Sequence, residues 1–152
     1  MKKLLLVLVA VMGLTFAANA QDAIGLRFGG GSSYGAEISY QKALGSNQLE
    51  FDLGARLPDL NFFYLAGIYQ FKGGINDWLG WYAGPGAKVS FCSTQGHGVG
   101  VAVAGQVGVE ANFDGFPFQF TLDIRPEYEF LLPPECINNF SWAAALGIRY
   151  KL

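Results

Sequence analysis

Residues 118–130 read FQFTLDIRPEYEF. Phe118, Phe120, Leu122, Ile124, Pro126, Tyr128 and Phe130 are apolar, and Gln119, Thr121, Asp123, Arg125, Glu127 and Glu129 stand between them. An alternation of period two puts the two sets on opposite faces of a β-strand. Thirteen residues of it is about twice the length of an ordinary strand. A chain built from such segments has two unlike faces, and its fold turns on which solvent each face meets.

The same period runs through seven more segments, at 23–31, 34–42, 48–57, 62–71, 78–91, 98–112 and 140–152. In the last of them Phe140, Trp142, Ala144, Leu146, Ile148, Tyr150 and Leu152 oppose Ser141, Ala143, Ala145, Gly147, Arg149 and Lys151. Segment 62–71 is the exception, because both of its faces carry bulk: Phe63, Leu65, Tyr69 and Phe71 against Phe62, Tyr64, Ile68 and Gln70. Its orientation stays open. Turn chemistry separates the segments at Gly45-Ser46-Asn47, Pro58-Asp59, Gly73-Gly74, Asp114-Gly115 and Pro133-Pro134. An even number of antiparallel strands brings both termini to one end. No segment reads as an amphipathic helix that could cover a sheet edge, so closure into an eight-stranded, up-and-down antiparallel barrel is expected.

Residues 1–20 stand apart. Lys2 and Lys3 precede an apolar run from Leu4 to Phe16, and Ala18-Asn19-Ala20 is a small-x-small cleavage site. This is the pattern of a secretory signal peptide, and the run is shorter than the about 20 residues of a spanning helix. Residues 21–152 then form one domain. They keep 8 of the 10 basic residues and all 12 acidic ones, a net charge of −4 with no basic patch for nucleic acid. The chain is 51% hydrophobic and 14% charged, against about 25% charged in soluble domains. No apolar run of helix-spanning length follows residue 20, so any membrane-spanning must be done by strands.

A soluble barrel would turn the apolar set inward. Eight strands enclose an interior just wide enough for side chains or one small ligand, too narrow for this many aromatics and branched aliphatics. The outside would then be Gly84, Gly86, Gly98, Gly100, Ala102, Ala104 and Ala143 with scattered charges. Inverted, the apolar set faces hydrocarbon, and the small residues leave lumen space for charged ones. Arg27, Arg56, Lys88, Arg125, Arg149 and Lys151 supply six positive charges to that lumen, and Glu37, Glu50, Asp52, Glu110, Asp123, Glu127 and Glu129 seven negative. Charges held away from water need partners, and a nearly matched set supplies them. A closed barrel also pairs every backbone group internally, as hydrocarbon requires. The segments reach the about nine to eleven residues that span a bilayer. Tyr40, Phe118, Phe130, Phe140, Trp142 and Tyr150 lie near segment ends, where an interfacial aromatic girdle belongs.

On these residues the chain resembles the small eight-stranded outer-membrane barrels of Gram-negative bacteria, the class of the OmpA membrane domain and the Ail-type barrels. The ending Gly147-Ile148-Arg149-Tyr150-Lys151-Leu152 is similar to the C-terminal assembly signal of such barrels, with Gly147, Ile148, Tyr150 and Leu152 carrying the likeness. Leu152 departs from the usual aromatic last residue. The resemblance implies an outer-membrane location, membrane lipid and the barrel-insertion machinery as partners, a monomer, and no cofactor.

The remaining chemistry is sparse. Cys92 and Cys136 fall in the third and fourth connections of the loop end, and a disulfide between them is expected in an oxidising compartment. His97, with Ser93 and Glu135, could form a hydrolase or acyltransferase trio of the kind some outer-membrane barrels carry in outer loops, but no motif fixes it. Pro85 and Pro126 cannot donate to a sheet ladder, and a bulge is expected at each. The expected function is non-enzymatic, structural or in surface interaction through loops 92–98 and 131–139. The alternatives are a lipid-modifying or lipid-binding barrel enzyme and a porin-like small-solute pore.

Overall fold

A computed structural model describes residues 22–31, 35–56, 62–93, 98–130 and 140–152. Eight strands follow in order: β1 (Ala23–Gly31), β2 (Gly35–Leu44), β3 (Asn47–Arg56), β4 (Phe62–Gly74), β5 (Leu79–Cys92), β6 (Gly98–Asn112), β7 (Phe118–Glu129) and β8 (Phe140–Lys151). Each pairs antiparallel with the next, and β8 pairs with β1, so the sheet closes on itself. Closure leaves no edge strand. The signal-peptide residues 1–20 lie outside the described residues.

Local chemistry sets the turns. Gly45 and Gly115 have φ of 68° and 74°, the left-handed region that a residue without Cβ enters freely. Asn76 closes the β4–β5 turn, its Oδ1 accepting from the backbone N–H groups of Trp78 at 3.1 Å and Leu79 at 2.8 Å. Trp78, expected as the first residue of the fifth strand, therefore lies in the turn. Lys72, Gly73 and Gly74, expected in a turn, extend β4 instead and pair with Tyr82, Trp81 and Gly80. Gly73 lies beneath the Trp81 indole, where a side chain would collide with the ring.

The register fixes the barrel's shape. Ser141 pairs with Glu127, and the row continues through Ala104, Gly86, Ile68, Glu50 and Gln41 to Ala23. Ala23 pairs with Lys151, so one circuit returns to β8 ten residues from its start (151 − 141). Eight strands with this stagger tilt by roughly 35–45° to the axis. The prolines do not make bulges. Ile68↔Gly86 and Phe71↔Ala83 keep one register on either side of Pro85, and Ala104↔Glu127 and Val107↔Ile124 do so around Pro126. No residue is inserted. Two consecutive pairs drop out of each ladder, Tyr69–Pro85 with Gln70–Gly84 and Gly105–Pro126 with Gln106–Arg125, where the proline has no N–H to donate.

The faces are inverted relative to a soluble fold. Arg27, Arg125 and Arg149 head the large fully buried side chains, whereas Leu146 is 62% exposed. Burial alternates over all twelve residues of β7, with the apolar set outward. The buried apolar cluster is limited to Phe62, Tyr64 and Cys92 among the described residues. β4 settles its open orientation here: Phe62, Tyr64, Ala66, Ile68 and Gln70 are buried, and Phe63, Leu65, Tyr69 and Phe71 are exposed.

The first and last described residues, Asp22 and Leu152, meet at one end of the barrel. The Leu152 N–H donates to the Asp22 carbonyl at 2.8 Å, and the Lys151 N–H to that of Pro117 at 2.7 Å. The Asp22 carboxylate is fully buried and accepts from the Tyr40 hydroxyl and the Ala43 N–H, each at 2.9 Å, with Lys42 Nζ 3.6 Å away. Tyr40, expected in the aromatic girdle, is only 7% exposed because this bond folds it against the terminus.

Candidate functional site

The site is the barrel interior. Its centre is a lattice of three guanidinium groups and four carboxylates. Arg27 on β1 bonds Glu37 and Asp123, and its Nη1 lies 3.5 Å from Asp52 Oδ2. Arg125 on β7 reaches Glu37 Oε1 at 3.0 Å and Glu50 Oε1 at 3.4 Å, and it bonds Asp52. Arg149 on β8 reaches Glu50 Oε2 at 2.7 Å, and its remaining donors go to Ser39 and Thr121 hydroxyls at 2.9–3.0 Å. Every member of the lattice is buried. An ion of this kind cut off from water is tolerated only when it is paired and hydrogen-bonded.

Neutral groups complete the shell. Tyr64 donates to Glu37 at 2.6 Å and Tyr82 to Asp123 at 2.9 Å. Gln41, Gln70 and Gln106 donate to Glu50 at 2.8, 3.0 and 3.1 Å. Glycines make the room. A side chain at Gly54 would occupy the space of the Tyr64 ring, and one at Gly108 that of Tyr82 and Asp123. The large lumen residues of one strand thus stand over the bare backbone of its neighbour.

The outlying charges pair toward the two ends. Lys88 bonds Glu127, with the Ser141 hydroxyl 3.5 Å from the same oxygen, and Ser90 donates to Glu129 at 2.7 Å. Glu110 accepts from Lys72 and Gln119, each at 2.7 Å. Arg56 and Lys151 are half-buried at opposite rims, and the Arg56 guanidinium lies 4.7 Å from the Phe62 ring centroid. Eleven of the thirteen expected lumen charges are therefore buried inside the barrel, and these two mark its mouths.

Sequence reading passed over several lumen residues. Lys72 was masked by the glycines after it. Asp22, also passed over, lies one residue before the first alternating segment and belongs to the rim rather than the lumen, on the parity of the outward Leu26 and Phe28 and buried by its bonds to Tyr40 and Ala43. Tyr64 and Tyr82 are apolar by the ordinary count, yet their hydroxyls are lumen hydrogen-bond donors. Their parity within the strand was the one available signal, and on β4 it was ambiguous. Of the other candidates, Cys92 is buried at the loop end of β5 and Ser93 is exposed beside it, whereas His97, Glu135 and Cys136 lie outside the described residues. Gly147 is buried and Ile148 and Tyr150 are exposed on β8.

A closed antiparallel barrel of eight strands, apolar outside and ion-paired inside, is the fold of small transmembrane β-barrels. Solved structures place the chain beside particular members. The N-terminal β-barrel domain of Pseudomonas aeruginosa OprF aligns with a TM-score of 0.65 at 17% identity, over 85% of this chain and 95% of that one. Neisserial surface protein A aligns with a TM-score of 0.60 at 12% identity, over 86% and 94%. A de novo designed transmembrane β-barrel aligns at 0.58 and 14% identity, over 89% and 98%. No protein-family profile matches the sequence, and no curated protein sequence does.

Proposed function

We propose that this chain is an integral outer-membrane β-barrel of a Gram-negative bacterium, exported by a cleaved signal peptide, monomeric and non-enzymatic. It serves the membrane structurally or in surface contact. The observation that carries this reading is the inversion itself: exposed Leu, Ile, Val and Phe side chains ring a barrel whose interior is an arginine–carboxylate lattice. Only a hydrocarbon surround stabilises that outside, and only internal pairing stabilises that inside. The likeness to OprF and neisserial surface protein A supports an outer-membrane setting.

With the termini on the periplasmic side, loops 92–98 and 131–139 face the exterior and supply the contact surface. The insertion machinery reads Gly147, Ile148, Tyr150 and Leu152 at the end of β8. Cys92 and Cys136 join those two loops by a disulfide, which a change in gel mobility on adding reductant would report. Expression with its leader in a Gram-negative host tests the main reading. The protein should fractionate with outer membranes and migrate faster in detergent gels before boiling than after. Recovery in the soluble periplasm with no heat-dependent shift would sink it.

A further inference from the structure

The short-turn end of the barrel carries a cleft that the arginine lattice does not use. β4 runs on from Gln70, which pairs with Gln48 of β3, to Gly74, and over those last residues it pairs with β5 alone. The β4–β5 hairpin therefore stands past the β2–β3 turn. A cleft of about 300 Å³ opens between Ser46 in that turn and the inner face of the hairpin. This volume is at the low end of the roughly 300–1,000 Å³ of small-molecule sites. Gly74 and Gly80 leave its wall bare, and a Cβ at Gly74 would meet nothing within 4 Å.

The charges lining this cleft largely cancel. Lys72 Nζ lies 2.7 Å from Glu110 Oε1, and Glu110 also accepts from Gln119. Asp77 is the remaining lining charge; it is exposed and makes no ion pair among the described residues. Beside it the lining is neutral and polar, with the Ser46 hydroxyl and the Asn112 amide. An aromatic plate completes it. Trp78 lies against Phe113, ring centroids 5.7 Å apart and 10° from parallel, and is still 48% exposed. The turn holds that plate in place: the Trp78 N–H donates to Asn76 Oδ1 at 3.1 Å, and its carbonyl accepts from the Asn112 N–H at 2.7 Å. Trp81, three residues on, pairs with Val109 on the outward face, whereas Trp78 lines the cleft. The face of an aromatic ring carries partial negative charge and attracts the C–H groups on the flat side of a sugar ring. The sugar's hydroxyls in turn need a carboxylate, amide or hydroxyl beside them. An ionic ligand would find most of its counter-charge already paired.

We propose that this cleft binds a saccharide. A pyranose ring stacks on Trp78 over the bare backbone of Gly74 and Gly80, and its hydroxyls meet Asp77, Asn112 and Ser46. The site lies at the opposite end of the barrel from loops 92–98 and 131–139 and is independent of what they contact. Amide chemical shifts of the full-length mature barrel in zwitterionic micelles test it, with chitotriose as probe. Sorbitol, which has hydroxyls but no ring face, and spermidine, which is a cation, are the controls. Chitotriose should shift the Gly80 and Asn112 amides and the Trp78 indole N–H saturably, and neither control should move them. Trp78→Leu removes the plate, and Gly74→Met fills the cleft without touching its polar groups. Each should weaken chitotriose by about fivefold or more in barrels with an otherwise wild-type spectrum. No saturable shift in the wild type, an equal response to sorbitol or spermidine, or unchanged affinity in either variant would overturn the assignment.

Discussion

Glu50 accepts hydrogen bonds from Gln41, Gln70, Gln106, Arg125 and Arg149, which come from five different strands. A single carboxylate thus ties most of the circumference together, and its loss would leave two guanidinium groups buried and under-compensated. Removing one partner of a buried pair costs about 3–5 kcal/mol. Glu50→Ala should therefore lower unfolding free energy by about that amount in urea titrations of vesicle-inserted protein. Glu129 is the contrast. Among the described residues it accepts from the Ser90 hydroxyl, and an amide can still accept that bond, so Glu129→Gln should change stability by less than about 1 kcal/mol. Space matters as much as charge. Gly54→Leu would drive into the Tyr64 ring and pull its hydroxyl from Glu37; overpacking of this kind costs about 1–3 kcal/mol in the same titration.

At the scale of a strand, β7 shows why much of the fold could be read directly. Its alternation is unbroken because each outward residue is apolar and exposed and each inward one is a polar group buried in the lumen. Ile124, halfway along it, is 51% exposed. Ile124→Arg should destabilise the barrel by about 2–4 kcal/mol, the cost of a cation on the lipid face near the midplane. A titration midpoint equal to wild type would show that this face does not meet hydrocarbon. β4 could not be oriented in the same way. Phe62, Tyr64 and Ile68 point inward because the neighbouring strands present Gly54, Gly86 and other small residues to them. That complementarity depends on register, a non-local property, and no window of β4 contains it. The prolines failed for a related reason. A ladder can lose one donor without gaining a residue, and composition does not distinguish a gap from a bulge.

For the whole molecule, the eight segments and the sign of the inversion were legible, because both follow from periodicity and from the number of charges needing partners. The ten-residue stagger was not, nor was the gathering of three guanidinium groups and four carboxylates into one lattice; each arises only when all eight strands are laid side by side. The lattice crosses the bore from β1 to β3, β7 and β8. Planar bilayers containing the purified barrel should therefore show no steady, large conductance; such a conductance would mean that the lattice opens as a channel. The central claim, that the apolar set faces lipid and the polar set does not, has a more direct test. Trp78, Trp81 and Trp142 are replaced by Phe, and one tryptophan is placed at Ile124 or at Thr121, which lie three residues apart on opposite faces of β7. In vesicles of lipids brominated along the acyl chains, fluorescence at position 124 should be strongly quenched and that at 121 nearly untouched. Equal quenching at both positions, or the reverse order, would contradict the account.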